Sequence, residues 1–136
     1  MNIVIRGLDK VRNAFDYLHK NTLEILDKPA REWSERVINE RLAGPGNYAP
    51  MRPQQRYVRT YQLGLGWRSG KVGLGRWRIY NIKDYSVAVV GNNAGEGQGK
   101  FFVGRWWTAA SRINEERSKL ITGFLQEYVT EYDKRV

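Results

Sequence analysis

The chain has 136 residues, with 23 Lys+Arg against 14 Asp+Glu, a formal net charge of +9. This length predicts a single domain that buries about two-thirds of its unfolded surface, and a composition 41% hydrophobic and 12% aromatic excludes a disordered basic tail. The lack of cysteine excludes disulfides, thiol nucleophiles and thiolate metal sites.

No apolar run approaches the roughly 18 residues of a membrane span. The opening Met1-Asn2-Ile3-Val4-Ile5-Arg6 has no apolar signal-peptide core, so a soluble protein without a secretory leader and without a membrane partner is expected. The charge is unevenly placed. Between Arg52 and Arg112, eleven basic residues stand against only Asp84 and Glu96, while the flanks balance at 12 basic and 12 acidic. The same stretch holds ten of the fourteen glycines and four of the five tryptophans, marking a specialised middle between two ordinary ends.

In the first flank, Leu8, Val11, Phe15, Leu18, Ile25, Trp33 and Val37 fall at helical steps and predict one apolar stripe over Gly7 to Ala43. Pro29 has no N–H to continue the ladder, which predicts a helix pair or a kinked helix, with Asp27 capping a second segment that starts near Lys28. Gly44-Pro45-Gly46-Asn47 ends the helical region.

The middle predicts short antiparallel strands. Leu63, Leu65 and Trp67 alternate with glycines, and Trp77, Ile79 and Asn81 alternate with Arg78, Tyr80 and Ile82. Ser69-Gly70 and Gly73-Leu74-Gly75 supply turns. The apolar run Val87 to Val90 predicts a third strand over Ser86 to Val90, and Gly95 to Gly99 an exposed flexible loop. In the last flank, Trp106, Ala110, Ile113, Leu120, Phe124, Tyr128 and Tyr132 form a second helical stripe, interrupted at Arg117 and Gly123. The expected fold is therefore α+β and one domain over 1–136. It comprises a helical region 7–43, a basic Gly/Trp-rich sheet region 52–105, and a C-terminal helix 106–133 packed on the sheet.

No catalytic constellation emerges from these residues. His19 is the only histidine and lies on a polar helix face, so it reads as a surface residue. Glycine clusters fail the tests for phosphate cradles: at Gly99-Lys100 the first glycine of a Walker loop would be Ala94 and its hydroxyl would be Phe101. Gly64-x-Gly66 meets Ser69 where a third glycine belongs. A non-enzymatic protein without cofactor or metal is expected. Binding is better served: on a strand Arg76, Arg78 and Tyr80 share one face, which offers phosphate contacts beside a stacking surface, or a surface for an acidic protein partner. Trp67 and Trp77 read as core. Trp106 and Trp107, adjacent at a helix start, point about 100° apart, which predicts that one of them serves an interface. Arg56, Arg59, Arg68 and Arg105 complete the candidate interface set.

Tyr48-Ala49-Pro50, Arg56-Tyr57-Val58-Arg59-Thr60, Leu63 and Trp67, then Tyr85-Ser86-Val87-Ala88-Val89-Val90-Gly91 and Gly104-Arg105-Trp106-Trp107, form an ordered set. It resembles the HK97-gp10-like family of small tail-component proteins of tailed bacteriophages, and spans the chain from Gly7 to Tyr132. Tyr61 departs from it by standing where the family's Arg-Thr-Gly has glycine, a position where tyrosine is costly if φ is positive. Ser86 replaces a common alanine. The resemblance implies a virion neck or tail component, made in the host cytoplasm, that acts in head-to-tail joining or tail completion. It also implies assembly as a homo-oligomeric ring against adaptor or head-closure, tail-terminator or tail-tube proteins, with DNA close by in the neck channel.

Overall fold

The computed structural model describes residues 7–51 and 61–136. Its class is α+β, with six helices and one two-stranded antiparallel sheet among the described residues. Helix α1 spans Leu8–Lys20 and α2 spans Thr22–Val37, the latter continuing into a π-helical turn at Ile38–Leu42. The expected break occurs at Asn21 and not at Pro29. Asn21 leaves helical geometry at φ −111°, while Thr22 Oγ1 donates back to the Leu18 and His19 carbonyls at 2.9 and 3.1 Å, so α2 follows α1 with no loop between them. Pro29 stays inside α2 and is buried. Its lost N–H costs the ladder one bond, but its ring faces α6, where a Cβ on Gly123 would stand 3.7 Å away, in ordinary van der Waals contact.

The π turn closes with Ala43 N–H donating to the Ile38 carbonyl at 2.8 Å, and it brings Ile38 and Leu42 into the core. A 3₁₀ turn at Pro45–Asn47 follows. The stretch expected to open the sheet instead forms a single helical turn, α3, at Gln62–Leu65, which buries Leu63 and leaves Leu65 exposed. Strand β1 is Trp67–Gly73 and β2 is Arg76–Asn81. Ser69-Gly70, read as a turn, lies within β1, and the reversal is made at Leu74-Gly75.

The predicted third strand is a short helix, α4, Ser86–Val90. Four apolar residues in a row fit either periodicity. The helix buries Ser86, Val89 and Val90 on one side and turns Val87 outward, whereas a strand would have needed two apolar faces. The glycine loop beyond it is held by hydrogen bonds. Asn92 Oδ1 accepts from the Ala94 and Glu96 amides at 2.9 Å each, and Gln98 Nε2 donates to the Val89 and Trp106 carbonyls at 2.8 and 3.1 Å.

The C-terminal stripe divides into α5 (Ala109–Glu115) and α6 (Arg117–Asp133), the break falling at Glu116. The Glu116 carbonyl accepts from Trp33 Nε1 at 2.9 Å. Helix α6 follows the sheet in the chain and lies chiefly along α2 and α1; α2 is the helix that packs against both strands. The central core joins Val37, Ile38, Leu42, Leu63, Trp67, Val89, Val90 and Ala109. Leu18, Ile25 and Val37 of the predicted stripe are buried, whereas its Leu8 and Phe15 are 49% and 59% exposed, and Ala14, outside the stripe, is buried in their place.

Tyr61 is the only described residue other than glycine with positive φ, at 58°. A left-handed conformation costs a side-chain-bearing residue about 1–2 kcal/mol, and here the ring stacks on Tyr48 with centroids 4.9 Å apart. Tyr61→Gly is therefore expected to melt higher than Tyr61→Ala by about 4 °C, the reverse of the usual Ala/Gly order. Calorimetry on the two variants checks it, because both lose the ring and only the glycine releases the backbone.

Candidate assembly surface

The hairpin register places Arg68 opposite Tyr80, Gly70 opposite Arg78 and Gly73 opposite Arg76, with an irregularity between Lys71 and Gly73. Opposed residues share a face and faces alternate along a strand. Arg76, Arg78 and Tyr80 thus line the outer side of β2 with Arg68 beside them, as the alternation predicts. Trp67, Trp77 and Ile79 line the inner side. Trp67 and Ile79 belong to the core packing, and Trp77 is half-buried.

The hairpin is fixed by Asp27. Its Oδ1 accepts from the Gly75 amide at 3.0 Å and from Trp77 Nε1 at 3.2 Å, and stands 3.3 Å from Lys71 Nζ. The residue expected to cap a helix instead projects sideways from α2 and ties down the hairpin turn. Gly75 is required there: its φ is +69°, and a Cβ would come within 2.8 Å of the Leu23 carbonyl oxygen. The hydrogen bond from Gly75 holds the Asp27 carboxyl below its ordinary value of 3.8, against the opposing pull of burial, with Trp77 and Lys71 adding to the lowering. Glu116 and Glu131 are lowered too, chiefly by hydrogen bonds from Lys119 and Lys134.

Depressed carboxylates stabilise the fold above their unfolded pKa, near 4, and lose that contribution as pH falls through the folded value. The melting temperature is therefore expected to hold between about pH 7 and 5 and to fall below about pH 4. Asp27→Asn, which keeps the acceptor oxygen, is expected to flatten part of that fall. Asp27→Ala is expected to speed amide exchange throughout the hairpin at neutral pH.

Asp27 engages Lys71, but Arg68, Arg76 and Arg78 have no carboxylate within ion-pair distance among the described residues. Arg68 donates to the Leu65 and Trp67 carbonyls at 2.7 and 2.8 Å. The Arg78 guanidinium lies 4.7 Å from the Tyr80 ring centroid. Gly70 opposite leaves the ring its space, since a Cβ there would meet Tyr80 Cε1 at 3.4 Å. All three arginines are exposed. Among the described residues the outer face is therefore a basic patch without an ion-pair partner, with Arg68 and Arg78 held in place.

Arg105 is also exposed, but it folds back on Phe101, donating to its carbonyl at 3.2 Å and lying 5.3 Å from its ring. No hydrogen bond or ion pair joins it to the hairpin among the described residues. Arg56 and Arg59 lie outside the described residues.

Trp106 and Trp107 precede α5, so the helical 100° offset does not apply to them, and both pack against the core. Trp106 stacks edge-on to Tyr48 at 5.2 Å. Trp107 donates from Nε1 to the Asn47 carbonyl at 2.7 Å, and Arg112 covers its ring at 4.4 Å while donating to the Arg41 carbonyl at 2.8 Å. These rings seal the turn after α2 against the start of α5. Nothing local announces this, because the partners are 60 and 71 residues apart in the chain.

Beside β2 runs a groove of about 550 Å³, bounded by β2, α4, the Asn92 loop and α5. Among the described residues no three His, Asp or Glu side chains gather as metal ligands, and no helix is long and apolar enough to cross a membrane. Compared with known proteins, the chain matches no protein-family model, no curated protein and no solved structure.

Proposed function

We propose that this chain is a structural component of a tailed-bacteriophage virion, at the neck or tail, acting in head-to-tail joining or tail completion by protein–protein assembly. The ordered motifs of the sequence motivate this reading, and the observation that carries it is Tyr61. A tyrosine at φ 58° occupies the position where the resembling family's Arg-Thr-Gly has glycine, a conformation that suits glycine and costs tyrosine. The basic patch on the hairpin supplies a surface for acidic neighbours in a ring of identical subunits or on an adaptor, terminator or tail-tube protein. Mass spectrometry of purified virions tests the reading, together with the identity of neighbouring reading frames. The protein is expected in the particle beside portal, capsid and tail genes, and its absence from both settings would remove the proposal.

A second reading rests on Arg76, Arg78 and Tyr80 sharing one exposed face: a basic nucleic-acid-binding domain. It predicts DNA affinity that falls steeply with salt, by about one logarithmic unit of slope per phosphate contact. That affinity would be lost when Arg56, Arg59, Arg76 and Arg78 are neutralised together. Micromolar binding at physiological salt would favour this reading over the first.

A further inference from the structure

A two-stranded sheet has two open edges, and one edge of this sheet opens into a groove. Ile82 N–H donates to the Gly66 carbonyl at 2.9 Å, and the two residues stand opposite each other in the ladder's register. In an antiparallel ladder such bonded pairs alternate with unbonded ones. Tyr80 and Arg78 therefore turn their backbone groups inward to β1, while Trp77, Ile79 and Asn81 turn theirs outward. Arg78, Ile79, Tyr80 and Asn81, four consecutive residues, line the groove. A wall made of consecutive strand residues is the strand's edge, and the opposite wall lies across a space of about 550 Å³. Among the described residues no hydrogen bond outside the ladder engages the Ile79 or Asn81 amide or carbonyl.

We propose that this groove receives an extended segment of a partner protein, which adds as a third strand to the free edge of β2 and carries carboxylates at alternate positions. The outward N–H and C=O groups of Ile79 and Asn81 repeat at the spacing of a peptide backbone, which a phosphate backbone does not match. The charge selects the occupant: the groove lining contains no Asp or Glu, and its only charged residue is Arg78. A second copy pairing through β2 would set the Arg76–Arg78 run against its own like charges, which is unfavourable. A strand with acidic residues meets Arg78 with opposite charge, and side chains of the other parity face the groove's accessible apolar lining at Val87, Ala110 and Ile113. This inference rests on the assembly reading, since it describes how one neighbour is held.

The test uses the whole chain, labelled with ¹⁵N, and two synthetic peptides of about seven residues, one alternating valine with aspartate and one alternating valine with lysine. The aspartate peptide is expected to slow amide exchange at Ile79 and Asn81 by about tenfold, and to bind about tenfold more tightly than the lysine peptide. Arg78→Glu, at an exposed position that the fold does not need, is expected to reverse that preference. Equal affinity for the two peptides, or Ile79 and Asn81 amides unmoved at millimolar peptide, would overturn the proposal. Shifts at this edge produced by a thymidine oligonucleotide and by neither peptide would also overturn it. A chain found in virions that ignores the aspartate peptide would leave the assembly reading standing alone. A chain that binds the peptide but is missing from virions would do the opposite.

Discussion

Gly64→Ala is expected to destabilise the fold by about 3 kcal/mol or more and to lower its melting temperature by about 10 °C. A Cβ at position 64 would be driven into the Ala43 carbonyl oxygen and would stand 3.2 Å from both the Ala43 carbonyl carbon and the Tyr48 hydroxyl oxygen. The clash is with backbone at the end of the π turn, which cannot swing aside as a long side chain would. Relief requires α3 to move off the end of α2, and α3 carries Leu63, one of the buried core residues. The same close approach lets the Gly64 amide donate to Tyr48 Oη at 2.7 Å. Tyr48→Phe leaves that amide without its acceptor and is expected to cost about 1–3 kcal/mol. Gly46→Ala is the control, since a Cβ there meets nothing within 4 Å, and it should stay within about 0.5 kcal/mol of the parent. Urea melts of the three variants check the order, and a Gly64→Ala protein as stable as the Gly46→Ala one would mean that the two segments do not meet.

This pair of segments shows where the reading of sequence reached and where it stopped. Periodicity located both helical flanks and the hairpin, because an apolar stripe and an alternating strand are local patterns. It placed Arg76, Arg78 and Tyr80 on one face for the same reason. The turn at Gln62–Leu65 and the helix at Ser86–Val90 were illegible because both are four or five residues long, too short for period two and period three to separate. Asp27 illustrates a different limit. As a neighbour of Pro29 it has the chemistry of a helix cap, but its partners Lys71, Gly75 and Trp77 are 44 to 50 residues away, and only the packing of α2 on the hairpin brings them together. For the tryptophan pair only the geometric premise differed: the offset argued for Trp106 and Trp107 holds on a helix, and α5 begins two residues later. Tyr61 is the converse case, in which a single departure from a motif pointed to the residue whose backbone proved unusual.

The remaining large effect concerns Trp67, and its interest is in an inverted order among conservative changes. Trp67 is 6% exposed and central to the core, so Trp67→Ala is expected to cost about 3–5 kcal/mol through lost burial and the cavity left behind. Its indole Nε1, however, is buried and meets no acceptor among the described residues. Trp67→Phe removes that unsatisfied donor along with part of the ring, and the two effects offset, leaving an expected loss of about 1 kcal/mol. Trp107 is less buried, but its Nε1 donates to the Asn47 carbonyl at 2.7 Å, and its ring lies 4.4 Å from the Arg112 guanidinium carbon. Trp107→Phe breaks that bond, strands the carbonyl at the end of the 3₁₀ turn Pro45–Asn47, and is expected to cost about 2 kcal/mol. Burial alone predicts that the Trp67 variant is the more damaged of the two phenylalanine substitutions. Hydrogen-bond satisfaction predicts that the Trp107 variant is, and chemical denaturation of the pair decides between them.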